Sequence, residues 1–164
     1  MAKNKEIKTN AMRILEREKI PFTHYTYECD EFIDGIQIAD KLSLPYEKVY
    51  KTLVTEGSSK SYFVFVIPIA EELDLKKAAR SVGEKSVSMI HVKDINAVTG
   101  YIRGGCTAIG MKKQYVTRLD ISAKEQETII VSGGRIGSQI ELKPDDLLKA
   151  SGGEFGDIIV RKEA

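Results

Sequence analysis

The chain has 164 residues, 42% hydrophobic and 30% charged, enough for one globular domain with a buried core and too apolar for a largely disordered protein. Its 25 basic and 24 acidic residues leave a net charge of +1, which argues against binding a nucleic-acid duplex across many phosphates and confines any such contact to one small patch. Met1 to Lys8 is a loose polar start without a signal-peptide pattern, no window approaches a membrane span, and Cys29 and Cys106 lie far apart, so reduced thiols in a cytoplasmic protein are expected.

Thr9 or Asn10 caps a first helix with Ala11, Ile14 and Leu15 on its apolar side, ending before Pro21. "FTHYTYE", residues 22–28, is aromatic and β-branched and reads as a strand. A short helix over Ile36 to Leu42 turns Ile38, Ala39 and Leu42 inward. "VYKTLVTE" and "SYFVFVIP" flank "GSSK" as a hairpin. Asp74 caps a helix with Leu75, Ala78, Ala79 and Val82 facing the core, and Gly83 stops it.

After "SVSMIHV" come a helical turn near Asp94 to Val98 and the glycine-rich loop "YIRGGCTAIGMKK". "YVTRLDI", "ETIIVSGG" and "SQIELK" read as three more strands, the last two joined around Gly133 and Gly134, and Pro144 opens a final helix through Ala150. Hairpins mixed with helices, without a strict βαβα rhythm, predict a single α+β domain over residues 1–164. Its one sheet is expected to be mixed, largely antiparallel and curved in a barrel-like way, flanked by helices.

Several common catalytic devices are absent. "SGGRIGSQ" lacks the phosphate-loop order, no G-x-S-x-G elbow occurs, and His24, His91, Cys29 and Cys106 have no paired ligand spacing, so no metal or cofactor is expected. Three features remain. Alternation places Val49, Lys51 and Leu53 on one face of a strand, so Lys51 either guards an edge strand or lines a pocket, with Thr52 beside it. In "GYIRGGCTAIG", Gly104 and Gly105 permit close backbone approach, and the loop is either a tight connection or an anion nest or oxyanion hole. "VSGG" either ends a plain hairpin or sets Ser132 and Gly133 at the rim of a cleft. Cys106 follows the glycines without a visible activating base.

"VYKTLV", "DLKKAA", "TGYIRGGCTAIGMKK" and "VSGGRIGSQIEL", in this order, closely resemble the YbaK/EbsC family of stand-alone aminoacyl-tRNA deacylases, related to the editing domain of bacterial prolyl-tRNA synthetases. The resemblance runs from about residue 10 to residue 160. It implies clearance of mischarged Cys-tRNA(Pro), and also of Cys-tRNA(Cys), with the essential lysine falling on Lys51. Thr52, Tyr27, Gly104 and Ser132 are implied on the substrate side, with Gly105, Cys106, Thr107 and Gly133 beside them, and the N–H groups of Gly105 to Thr107 stabilising the oxyanion. The implied partners are the tRNA acceptor end and a prolyl- or cysteinyl-tRNA synthetase, with no membrane, no DNA and no cofactor. Lys76, Lys77, Arg80, Arg103, Lys112 and Lys113 are candidates for the tRNA-facing patch. The chain departs from the family's "GGxSP" loop at Thr107 and Ala108, and from its usual Asp at Gln139; Phe32 is the candidate for the aromatic of its "NFGDE" segment.

In that family the cysteinyl substrate is implied to attack its own ester through its thiol, a lyase-like step that needs no protein nucleophile. Two rivals stand beside this reading: a non-catalytic module that binds tRNA ends, nucleotides or a partner protein, and a thiol-dependent hydrolase using Cys106.

Overall fold

Three of the helices begin on a residue in extended backbone whose side chain caps the first turn. The computed structural model describes residues 8–28 and 34–161; Cys29, Phe32 and nearly all of the loose N-terminal start lie outside them. Helix α1 (Asn10–Arg17) starts on Thr9, whose hydroxyl accepts the Met12 N–H, and buries Ala11, Met12 and Leu15. Helix α2 (Gly35–Leu42) carries a full capping box, with Asp34 and Gln37 each accepting the other's backbone N–H.

Asp74 caps α3 (Leu75–Ser81) by accepting from Lys76 and Lys77, and α3 buries Ala78 and Ala79. Leu75, expected inward, is instead 43% exposed in the first turn. The helical period assigns a face but cannot say how far the sheet beneath it extends. Helix α4 (Ile95–Thr99) precedes the glycine-rich loop, and α5 (Pro144–Ser151) holds its proline in the first turn. Among the described residues no helix is long and apolar enough to cross a membrane.

The strands are β1 (Thr23–Thr26), β2 (Tyr50–Gly57), β3 (Tyr62–Pro68), β4 (Val87–Met89), β5 (Val116–Asp120), β6 (Ile129–Ser132), β7 (Ser138–Leu142) and β8 (Glu154–Gly156). They form two sheets rather than the one that was expected: an antiparallel β1–β7–β6 and a mixed β4–β2–β3–β5–β8. In the second, β3 pairs parallel with β5 and β5 parallel with β8, whereas β2 is antiparallel to both neighbours. The sheets meet at one parallel bridge, Val49 to Ile130, and among the described residues no ladder closes them into a barrel.

Strand β3 is buried on both faces, which accounts for its unbroken apolar run. Val64 and Val66 join Tyr50, Leu119, Ile140 and α1 in the core between the sheets. Phe63, Phe65 and Ile67 pack with α3 on the other side. Ala39 of α2, Val49, Ile69 and Ile130 form a third cluster at the seam where the sheets touch. Those apolar contacts hold the strands that carry the site.

A candidate active site at the seam of the two sheets

Strand β2 changes partners along its length. Strand β4 covers only Thr55 to Gly57, and the bridge to Ile130 lies at Val49, so the edge between them is open. A cavity of about 500 Å³ occupies that gap, with Val49 to Val54 along one wall. Ile69 donates its N–H to the Val49 carbonyl, and Ile90 donates to the Val54 carbonyl, so alternate residues of β2 address opposite sides. Thr52 falls in step with Val54, and its backbone groups face the gap.

Lys51 pairs with the buried Ile67 across the hairpin and lies on the face of Val49 and Leu53. Its ammonium donates to the Ile69 carbonyl at 3.3 Å. Burial lowers its pKa below that of an ordinary lysine, while Glu72, Asp34 and Glu71 pull it back up. Strand β2 lies between β3 and β4, and Lys51 sits where its unpaired middle forms the wall of the cavity. Two residues beyond the parallel bridge, Lys51 on β2 corresponds in register to Ser132 on β6, and both line the cavity.

The glycine-rich loop supplies the opposite rim. Gly104, at φ +88°, and Cys106 line the cavity, as does Arg103. Gly105 packs against the turn joining β6 to β7, where an added Cβ would stand 2.8 Å from the Arg135 Cα. Its N–H donates to the Ile102 carbonyl at 2.9 Å, and of the three residues expected to supply oxyanion donors only Cys106 lines the cavity. The Tyr101 hydroxyl donates to the Ile109 carbonyl at 2.6 Å and closes the loop upon itself. Burial pushes the Cys106 thiol up to about 11, with a weaker opposing influence from Thr99, so the sulfur carries its proton at neutral pH.

Of the nine residues singled out from the sequence, Lys51, Thr52, Gly104, Cys106 and Ser132 are brought together around the cavity. Gly105, Thr107, Gly133 and Tyr27 are not on its lining. Thr107 is fully buried behind the loop, and Gly133 donates its N–H to the Ser138 carbonyl within the β6–β7 turn. The Tyr27 N–H is held by the Gly137 carbonyl of the same turn. Of the six basic candidates, only Arg103 lines the cavity; Lys77 pairs with Asp157 and Lys112 donates to the Ala97 carbonyl.

Sequence reasoning missed Asp34 and the exposed Met89 and Val92, and noted Gln139 only as a departure, yet all four line the cavity. Apolar side chains left in solvent beside a polar strand edge are the signal for the pair at the mouth, but their exposure is invisible before folding. Among the described residues, no group of three or more His, Cys, Asp or Glu side chains gathers to hold a metal ion.

A lysine and a glycine-rich loop border a cleft on a single-domain α+β scaffold, and comparison with known proteins places that scaffold. Residues 35–150 match the aminoacyl-tRNA editing domain, and the chain belongs to that family. It is 45% identical over 164 residues, 99% of this chain and 100% of the relative, to an Enterococcus faecalis protein assigned the name Cys-tRNA(Pro)/Cys-tRNA(Cys) deacylase EbsC. A solved structure described as a trans-editing enzyme for prolyl-tRNA synthetase has a TM-score of 0.78 at 19% identity, over 94% of this chain and 100% of that one. Another, described only as a hypothetical protein, reaches 0.82 at 18% identity, over 90% and 97%. At those identities the likeness is one of fold.

Proposed function

We propose that the whole chain acts as one trans-editing domain, a deacylase that clears mischarged Cys-tRNA(Pro), with Cys-tRNA(Cys) as a second substrate. The observation that carries this reading is Lys51, half-buried in the wall of a cavity sized for a nucleoside ester, in a chain of the aminoacyl-tRNA editing family. The 45% identity to a relative named for these two substrates supports the choice of cysteine.

Lys51 holds the 3′-terminal adenosine ester, with the backbone of Thr52 and the loop at Gly104 shaping the space around it. An aminoacyl ester is already activated, so positioning and fixed dipoles supply much of the rate. The substrate's own thiol sulfur attacks the ester carbonyl carbon, and the bond from that carbon to the ribose oxygen breaks. The thiol proton ends on the freed ribose hydroxyl, and the amino acid leaves as a cyclic thioester. Cys106, held protonated by burial, lines the cavity and takes no part in bond making. The partners are the acceptor end of tRNA and, in the cytoplasm, a prolyl- or cysteinyl-tRNA synthetase beside which the enzyme works; no cofactor enters.

The test is incubation with Cys-, Ala- and Pro-charged tRNA(Pro), following ester loss over time. Cysteine is expected to be cleared well ahead of the other two. Ester loss no faster than the uncatalysed rate for all three, with retained binding to acceptor ends, would replace this reading with that of a non-catalytic tRNA-end module.

A further inference from the structure

The cavity is sorted by charge. Its charged lining comes from Lys51 on β2, Asp34 at the start of α2 and Arg103 on the loop. The β6–β7 side is neutral: Ser132 and Gln139 face each other as cross-strand partners and both line the cavity. Gln139 is only 3% exposed, and among the described residues nothing hydrogen-bonds its carboxamide. Two residues further along β7, on the same face, Glu141 shows the usual outcome. Its carboxylate accepts from Tyr25, Lys48 and Thr128. The Gln139 carboxamide is instead not sealed in the core but lies on the cavity wall, and an amide held there without a protein partner is open to the hydrogen bonds of a ligand.

We infer that Gln139 is a substrate-binding residue whose carboxamide takes the free ribose hydroxyl beside the ester of the terminal adenosine, an assignment that rests on the deacylase reading above. The match is one of hydrogen-bond type. The ester carbonyl and the phosphates only accept, which suits Lys51 and Arg103. The amino acid's ammonium only donates, which suits the Asp34 side. The ribose hydroxyl is neutral and does both, and so does a carboxamide, whose oxygen accepts while its NH₂ donates. Ser132 already accepts the Gly134 N–H at 3.1 Å and keeps a hydroxyl proton to offer beside it. The contact would hold whichever amino acid is attached, because that hydroxyl belongs to the tRNA. Gln139 therefore fixes the ester's orientation and selects a ribose terminus, while the amino acid is chosen elsewhere in the cavity.

The experiment compares two cysteinylated tRNA(Pro) substrates, both esterified at the 3′-oxygen, one ending in adenosine and the other in 2′-deoxyadenosine. Each rate is corrected for uncatalysed ester loss. The parent protein is expected to favour the ribose terminus by roughly 10- to 100-fold, the span of one to two buried hydrogen bonds. Gln139→Leu, similar in size, should slow clearance of the ribose substrate by a similar factor and bring the ratio close to one. A merely structural role would slow both substrates alike and leave the ratio where it was, which overturns the assignment. Gln139→Glu, which keeps the acceptors and loses the donors, should give a smaller ratio than the parent and serves if the leucine variant does not fold; an unchanged ratio there overturns the assignment too. A parent that clears both substrates equally overturns this inference alone. A parent that clears neither overturns the deacylase reading and this inference with it.

Discussion

Replacing Lys51 with methionine should abolish deacylation while leaving the protein about as stable as before. Methionine keeps most of the unbranched stem that lies between Val49 and Leu53 and removes only the charged end. That end makes one long hydrogen bond, 3.3 Å to the Ile69 carbonyl, whose loss costs about 0.5–1.5 kcal/mol. Against this stands the relief of a half-buried ammonium whose pKa burial has already lowered. The two effects are similar in size and opposite in sign, so the net change should stay within about 1 kcal/mol, or roughly 2–4 °C in Tm for a chain of this length. A fixed donor aimed at developing charge is worth about 10²- to 10³-fold in rate. The assay pairs ester loss from Cys-tRNA(Pro) with thermal unfolding of the same preparation. Parental rates in a folded variant, or activity lost only in step with Tm, would refute the reasoning. Lys51→Arg should fail as well, since a wide planar fork cannot replace a compact ammonium in this wall.

The same lysine sets a pH dependence. Its folded pKa lies below 10.5, so the folded state gives up this proton before the unfolded chain does, and the lysine's contribution to stability rises with pH between the two values. Activity that needs the ammonium should fall across the same window, below the pH at which an ordinary lysine titrates, once uncatalysed ester loss is subtracted. Cys106→Ser should retain most of the activity, because the buried thiol is protonated at neutral pH; a loss above about a thousandfold would favour the sulfur as a protein nucleophile. Gly105→Ala should destabilise by about 1–3 kcal/mol and lower activity, because its new methyl meets the Arg135 backbone at 2.8 Å, and urea titration reads the first effect directly. Burial alone would raise the Glu141 pKa, but hydrogen bonds from Thr128, Tyr25 and Lys48 outweigh it and hold the carboxyl at about 2. The stability it adds should be fully present above about 4.5 and lost as pH falls towards 2, so acid unfolding of Glu141→Gln and its parent should converge over that interval.

Much of the fold was readable because local signals agree with the packing. Thr9 and Asp74 cap where their side chains predict, Pro144 opens its helix, and the β2–β3 hairpin forms around its polar turn. What could not be read is non-local. Nothing in the run of β3 says that its next partner is β5, in parallel, after an excursion through α3, β4 and α4. The division into two sheets likewise rests on which strands meet, and the single bridge at Val49 has no counterpart in the pattern of either strand.

The site divides along the same line. Lys51 was visible because a charge interrupts an apolar face, and period-2 alternation is a local property. Tyr27 was placed on the substrate side only by the family resemblance; its N–H is bound into the β6–β7 turn, where β1 meets β7, a position that no local pattern announces. Gln139 stood out only as a departure, because its significance depends on being buried, facing a cavity and lacking a partner together, and none of these exists before β6, β7 and β2 assemble.

The location of the cavity follows from the strand pairings themselves. A strand paired along both edges has no backbone to spare, and one exposed to solvent invites pairing with another chain. Strand β2 limits both by pairing with β4 at one end, touching β6 at the other, and leaving the middle of that edge to face a cleft. The register makes this arrangement specific. Because the bridge joins Val49 to Ile130 in parallel, the residues two steps on, Lys51 and Ser132, share a face and stand across the gap from each other. A shift of β2 by one residue would exchange its faces, sending Tyr50 and Thr52 where Val49 and Lys51 now stand. The apolar cluster of Ala39, Val49, Ile69 and Ile130 opposes that shift, since it would have to accept Tyr50 in place of Val49. The packing that stabilises the seam is therefore what fixes the lysine opposite the β6–β7 wall, and fold and site are set by the same four side chains.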